Sequence, residues 1–319
     1  MSFIYARPNL FQRLRGKLRR LVKGRRKGSK VDKELRAKAR ELLDSGRADV
    51  IIGYAVTRDG EARRPVFVDD VAGIDELVFD ELCHSNLTAY LTKRYKPLSA
   101  RWKKPAVVVK GCDAKALVGL IQEAQLDRGA VTLIGVACDG VELDGEKPHK
   151  CEICDAHTPR GVDIVIGTAS AADPVEPAAE YHPSEAAREL AERPPAERFA
   201  FWREQFAKCL RCYACREACP LCTCERCIAD SNQPQWVPTS AHEAGNWSWN
   251  LVRAFHLAGR CIGCGECARV CPVEIPLDLL NQHLRRVVAE RFDYIAGRDA
   301  EARPPLTVYR EEDAEEFIR

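Results

Sequence analysis

The chain has 319 residues, 30% of them charged and 46% hydrophobic. That length allows about two domains, and no apolar run reaches the ~18–20 residues needed to span a bilayer. The formal net charge of +2 is unevenly spread: residues 1–30 hold eleven Lys/Arg and no Asp/Glu, and the remainder is net −9. No nucleic-acid motif accompanies the basic stretch, so nucleic acid is not an expected partner.

Within this arm, Leu10, Leu14, Leu18 and Leu21 recur at helical spacing, with Phe11 and Val22 beside them and Pro8 just ahead. We expect residues 1–30 to form a basic amphipathic arm that docks on a partner subunit. An anionic membrane surface, or a transit peptide or disordered tail, are the competing readings. Next comes a helix over 32–45, capped by Asp32, with Leu35, Ala39, Leu42 and Leu43 on one face and Gly46 ending it. Strands are expected at 50–55, 65–68, 106–109, 131–136 and 162–166, and a helix starts at Gly111-Cys112-Asp113. Alternation of strands and helices predicts an α/β N-terminal domain over 31–168 with a mostly parallel sheet.

Composition then turns Ala/Pro/Glu-rich, which reads as a linker over 169–199 containing one short helix. Residues 200–291 read as an α-rich domain. Helices are expected over 246–258 and 276–291, followed by a C-terminal tail over 292–319 whose residues 303–319 are expected to lie across a neighbour or to be mobile.

Two cysteine runs dominate the second domain. Cys209, Cys212, Cys215 and Cys219, then Cys261, Cys264, Cys267 and Cys271, both spell C-x2-C-x2-C-x3-C-P. In this spacing three thiolates wrap one [4Fe–4S] cluster, and the fourth reaches across to a second. The expected sets are therefore Cys209, Cys212, Cys215 and Cys271, and Cys261, Cys264, Cys267 and Cys219: a ferredoxin-like 2[4Fe–4S] dicluster domain. C-x2-C pairs also bind structural zinc, but zinc sites do not ordinarily repeat the full pattern twice. Disulfides are disfavoured because no secretory h-region is seen, and the usage reads as a reducing, cytoplasmic compartment.

Eight cysteines lie outside these runs. Cys112 and Cys138 each follow the end of a predicted parallel strand, where sheet-edge sites form, and Cys151 and Cys154 make a C-x2-C pair close downstream. These four meet in a third cluster, or else are two buried thiols and a chelating pair. Cys222, Cys224 and Cys227 follow the first run within six residues, and with Cys83 they complete four sets of four. The expectation is a fourth cluster on Cys83, Cys222, Cys224 and Cys227, with His84 as a substitute ligand. The alternatives are zinc on the extra thiols, or a merely buried Cys83.

The stretches LLDSGRADVIIGYAV (42–56), VVVKGCDAKA (107–116), VTLIGVACDG (131–140) and CEICDAHTPRGVDIVIG (151–167) resemble the beta-subunit family of coenzyme F420-reducing hydrogenases and formate dehydrogenases. Carried over by position, the resemblance implies that Cys112, Cys138, Cys151 and Cys154 ligate that family's own [4Fe–4S] cluster. It also raises FAD as a cofactor. Members that bind FAD usually have a Gly-Gly step before the first helix, whereas this chain reads Gly28-Ser29-Lys30-Val31-Asp32, and an Ala/Pro segment follows Gly167. The close-approach glycines for a pyrophosphate are missing, and there is no G-x-G-x-x-G. FAD is accordingly not expected in the family manner, and no flavin-binding residues are assigned.

No phosphate-cradling loop, nucleophile elbow or His-x-x-x-His pair appears, so no catalytic residue is assigned. His256 and His283 read as packed or exposed, and the tryptophans 236, 247 and 249 as packing residues. Lys110 and Asp113 flank Cys112 and are expected to tune its field. Together these features point to an iron–sulfur electron-transfer subunit of an anaerobic oxidoreductase complex rather than an enzyme in its own right. The resemblance suggests a hydrogenase, formate dehydrogenase or heterodisulfide-reductase-like partner. The alternatives are a flavin-dependent oxidoreductase subunit that couples hydride oxidation to the clusters, and a zinc-stabilised interaction module.

Overall fold

A computed structural model of the protein describes residues 28–92, 101–171, 173, 181–309 and 311. The basic arm's leucine stripe and the last acidic residues lie outside the described residues.

The first helix, α1 (Lys30–Asp44), begins at a capping box. Ser29 Oγ accepts from the Asp32 amide at 3.0 Å, and the Asp32 carboxylate accepts from the Ser29 amide at 2.8 Å. Ser29 is thus the cap, with Asp32 three positions on. Leu35, Ala39 and Leu42, spaced by four and three, are fully buried on its inner face.

Five strands follow: β1 (Val50–Val56), β2 (Arg63–Val68), β3 (Pro105–Val109), β4 (Thr132–Val136) and β5 (Ile164–Ile166). Their order in the sheet is β2-β1-β3-β4-β5. The β1–β2 pair is antiparallel and the other three pairs are parallel. The expected α/β fold with a mostly parallel sheet is present. Val107, Val108 and Val109 are fully buried, as a continuous β-branched run in a covered parallel sheet should be.

Helix α2 (Gly111–Gln122) leaves β3 directly and serves two cores. Leu117 packs with the sheet, whereas Ala116 and Leu120 pack with Leu221, Leu257, Ile262 and Val288 of the C-terminal region. That seam is fastened by an Arg260–Glu123 ion pair at 2.7 Å and by Gln122 donating to the Ala302 carbonyl at 2.6 Å.

A single turn, α3 (His149–Glu152), lies between β4 and β5. The C-terminal region is helical: α4 (Glu185–Glu192), α5 (Pro195–Ala207), α6 (Ala214–Glu217), α7 (Glu243–His256), α8 (Glu266–Arg269) and α9 (Leu277–Phe292). The segment expected to be a linker holds α4 and the start of α5. Ala187 and Leu190 of α4 pack on Leu279 of α9.

Candidate metal centres

The two cysteine runs adopt the same backbone. Arg211 and Tyr213 in the first have φ of 57° and 59°, and Gly263 and Gly265 at the matching places in the second have φ of 75° and 68°. Left-handed residues two apart on either side of a cysteine turn the chain sharply around the thiol in both runs. Glycine does this freely, but Arg211 must be held there. Its guanidinium donates to the carbonyls of Gly245 (2.6 Å) and Pro238 (2.5 Å) and to Tyr213 Oη (3.1 Å). The insert between the runs therefore braces the first of these turns. Each run then enters a one-turn helix, α6 or α8, that carries its third cysteine.

Cys215 and Cys271 share one core cluster, and Cys209 packs against it. Burial raises the Cys215 thiol pKa, and thiolates at Cys209, Cys271 and Cys212 raise it further, against the opposing charge of Arg253. Cys219, Cys261, Cys264 and Cys267 line one cavity of about 440 Å³, partly open to solvent. Burial, followed by the thiolate at Cys219, pushes Cys264 well up. Cys219 thus lines a pocket with three cysteines of the second run, and Cys271 packs in one core cluster with Cys215 and Cys267.

Hydrogen bonds reach these sulfurs. The Ile275 amide donates to Cys271 Sγ and the Asn281 side chain to Cys267 Sγ, both at 3.4 Å. Such donors stabilise a thiolate over a thiol.

The third set gathers at the C-terminal edge of β3 and β4. Cys112 is the second residue of α2, Cys138 lies two residues past β4, and Cys151 and Cys154 sit in and just after α3. Two backbone contacts draw them together. Gly111 lies so close to the Ala156 carbonyl that no side chain fits there, and the Cys138 amide donates to the His157 carbonyl at 2.9 Å. The Val141 amide donates to Cys151 Sγ at 3.4 Å. Burial pushes the Cys112 thiol up to about 12, with Asp113 and Cys138 adding to it. Burial raises the Cys138 and Cys154 thiols, and a thiolate at Cys151 raises each of them further.

Cys83 and the triple Cys222, Cys224 and Cys227 are not brought together. Cys83 is fully buried in the sheet core. Its Sγ accepts from the Asp80 amide at 3.4 Å, and burial, then Asp80, raises its pKa. His84 is turned to the Glu142 carbonyl. Cys222, Cys224 and Cys227 line a separate cavity of about 470 Å³ against α7, and Cys83 is not among its walls.

Two cations hold positions that the sequence reading passed over. Arg253 on α7 is 5% exposed, and thiolates at Cys267, Cys222, Cys215 and Cys219 hold its charge in place against burial. It donates to the Cys215 carbonyl at 2.9 Å. Asn246, Trp249, Asn250 and Arg253 form the buried face of α7, so an arginine on that stripe was the available signal. Lys150 is half-buried and lines both the cavity of the second set and a neighbouring one bounded by Cys112, Cys154, Ile262 and Gly263. Thiolates at Cys112 and Cys264 both favour its charge. Lys110 pairs with Asp113 at 2.8 Å in the fully buried base of α2 and donates to Tyr54 Oη at 2.5 Å, beside Cys112. This is the field-tuning position expected for that pair.

The donors are soft thiolates, which suit iron–sulfur clusters and zinc alike. Among the described residues, no three His, Cys, Asp or Glu side chains close on a point that one metal ion could occupy.

A family described as 4Fe-4S binding domain matches residues 257–276, which contain the whole second run. A beta subunit of F420-dependent formate dehydrogenase from Methanocaldococcus jannaschii is 31% identical over 106 residues, covering 33% of this chain and 27% of that protein. The beta subunit of F420-dependent formate dehydrogenase 1 from Methanococcus maripaludis is 24% identical over an alignment of 358 residues, covering 83% of this chain and 90% of that protein. The alpha 1 subunit of an acetyl-CoA decarbonylase/synthase complex from Methanosarcina mazei is 31% identical over 132 residues, 40% of this chain and 14% of that subunit. The chain thus carries a 4Fe-4S binding segment and is distantly similar to beta subunits of F420-dependent formate dehydrogenases.

Proposed function

We propose that this protein is a non-catalytic iron–sulfur subunit that relays electrons inside a larger anaerobic oxidoreductase complex. The observation that carries the reading is that Cys219 lines a pocket with Cys261, Cys264 and Cys267. Cys271 shares a core cluster with Cys215, and both placements are what an exchange of fourth cysteines requires. A pair of zinc knuckles has no need of that exchange, whereas a dicluster pair is built on it. The proposed holders are Cys209, Cys212, Cys215 and Cys271; Cys261, Cys264, Cys267 and Cys219; and Cys112, Cys138, Cys151 and Cys154. The relatives' standing as beta subunits of formate dehydrogenases supports a place in such a complex.

When bound, a [4Fe–4S] cluster accepts and returns single electrons. The chain's own residues bind it as thiolates, exclude water and set its potential. Cys264, Cys267, Cys215 and Cys271 are buried, and low dielectric there favours whichever charge state the nearby cations support. The α/β part holds the third set at its sheet edge, and α2 joins that edge to the second set through the shared seam with Leu221 and Ile262. That seam supports electron passage between the proposed third and second sets.

Anaerobic protein reduced with dithionite should show several interacting cluster signals by electron paramagnetic resonance. Cys212→Ser should remove one of them and about four iron per chain. Unchanged spectra in that variant would contradict the ligand sets. Flavin released on denaturation, together with F420H2 oxidation by the isolated chain, would favour the flavin-dependent subunit instead.

A further inference from the structure

We propose a fourth iron–sulfur site in this chain, a [4Fe–4S] site held by Cys222, Cys224, Cys227 and the imidazole of His256. It rests on the iron–sulfur reading above and replaces Cys83 as the expected fourth ligand. All four residues line the same solvent-open pocket, between the loop after the first cysteine run and the end of α7. Cys83, closed inside the sheet core, is unavailable to it.

The surroundings have the composition of a cluster site. Leu221, Trp249 and Val252 supply apolar walls, which exclude water from inorganic sulfide. Arg216 and Arg260 line the cavity as well. Arg216 hydrogen-bonds to Cys227 and pairs with Asp230 at 2.9 Å. Arg260 is fixed by Glu123 at 2.7 Å, and its guanidinium donates to the His256 carbonyl at 3.4 Å, pinning the end of the helix that presents the imidazole. Three thiolates and a neutral imidazole leave the bound cluster one negative charge fewer than four thiolates would. That difference, with two guanidiniums nearby, favours the reduced state and raises the potential.

The location also fits a relay terminus. Cys222 hydrogen-bonds to Cys219, a member of the second proposed set. Arg253 is shared by Cys222, Cys219, Cys267 and Cys215. The cavity thus borders both dicluster sets, and Cys224 and His256 are exposed, which puts the site at the protein surface where a redox partner can approach.

The test is iron, acid-labile sulfide and zinc per chain in anaerobically prepared full-length protein, with nitrogen hyperfine spectroscopy on material labelled with 15N-histidine. Cys224 and His256 are both exposed, so Cys224→Ser and His256→Asn should fold. The proposal predicts about sixteen iron in the parent chain and about twelve in Cys224→Ser. It also predicts a histidine nitrogen coupling that His256→Asn abolishes. His256→Cys should keep the iron, lose the coupling and lower the potential of that one centre. About twelve iron in both parent and Cys224→Ser would overturn the fourth site while leaving the other three sets standing. One zinc per chain that departs in Cys224→Ser, or sixteen iron with no histidine coupling, would also overturn it. Iron near zero would instead take down the electron-relay reading itself.

Discussion

Lys150 and Arg253 show how single side chains set the electrostatics of the relay. Each is a cation facing thiolates from more than one set: Cys112 and Cys264 for Lys150, and Cys267, Cys222, Cys215 and Cys219 for Arg253. A fixed positive charge stabilises the added electron on every cluster it faces, so its removal makes those clusters harder to reduce. Lys150→Met should therefore lower the potentials of the second and third centres together. The shift should be roughly 50–100 mV, the worth of one charge several ångströms away at an effective dielectric near 20. A redox titration followed by electron paramagnetic resonance reads both centres. A shift in only one of them would show that Lys150 is not shared. Neither cation was legible as functional in the sequence. Lys150 hides beside Cys151 as an ordinary loop lysine, and Arg253 lies at a helix position where the amphipathic pattern calls for an apolar residue.

At the scale of elements, local pattern and long-range contact separate cleanly. The strands were legible because Val107-Val108-Val109 and Leu133 to Val136 are short apolar runs bounded by turn residues. Helix α5 was less so, because Pro194-Pro195 in an Ala/Pro-rich stretch reads as a breaker, although Pro195 stands at the first helical position where proline is well tolerated. The nearness of Cys219 to the second run was legible from spacing. The separation of Cys83 from Cys222, Cys224 and Cys227 was not, since cysteine arithmetic carries no information about which loops meet. The third set depends on the fit of Gly111 against Ala156. Gly111→Ala should push the loop bearing Cys154 away from Cys112 and remove about four iron, leaving the two ferredoxin-type centres. Iron content and the cluster spectra check this, and an unaltered third centre would count against the packing argument.

Across the whole molecule, the two regions are stabilised by different means. The sheet region has its own aliphatic core around β1, β3 and β4. In the C-terminal region, by contrast, Cys215, Cys267 and Cys271 belong to the core cluster themselves, and α6 and α8 are one-turn helices. One-turn helices do not stand alone in water, so under the proposed reading bound clusters hold them. Removing iron with a chelator under oxidising conditions should make residues 209–271 open to protease and rapid in hydrogen exchange, with the sheet strands still protected. Uniform protection after iron loss would contradict this division. No helix among the described residues is long and apolar enough to cross a membrane, and α2, shared by both cores, makes the seam between the regions a packed contact instead of a loose tether. A relay across that seam needs the third set occupied as well as the two runs.

The most direct measurement is therefore a count of iron and acid-labile sulfide per chain after anaerobic purification, paired with spin quantitation on stepwise reduction. The account predicts at least about twelve of each and at least three one-electron centres. About eight iron confined to the two cysteine runs, or colourless protein carrying zinc, would contradict it.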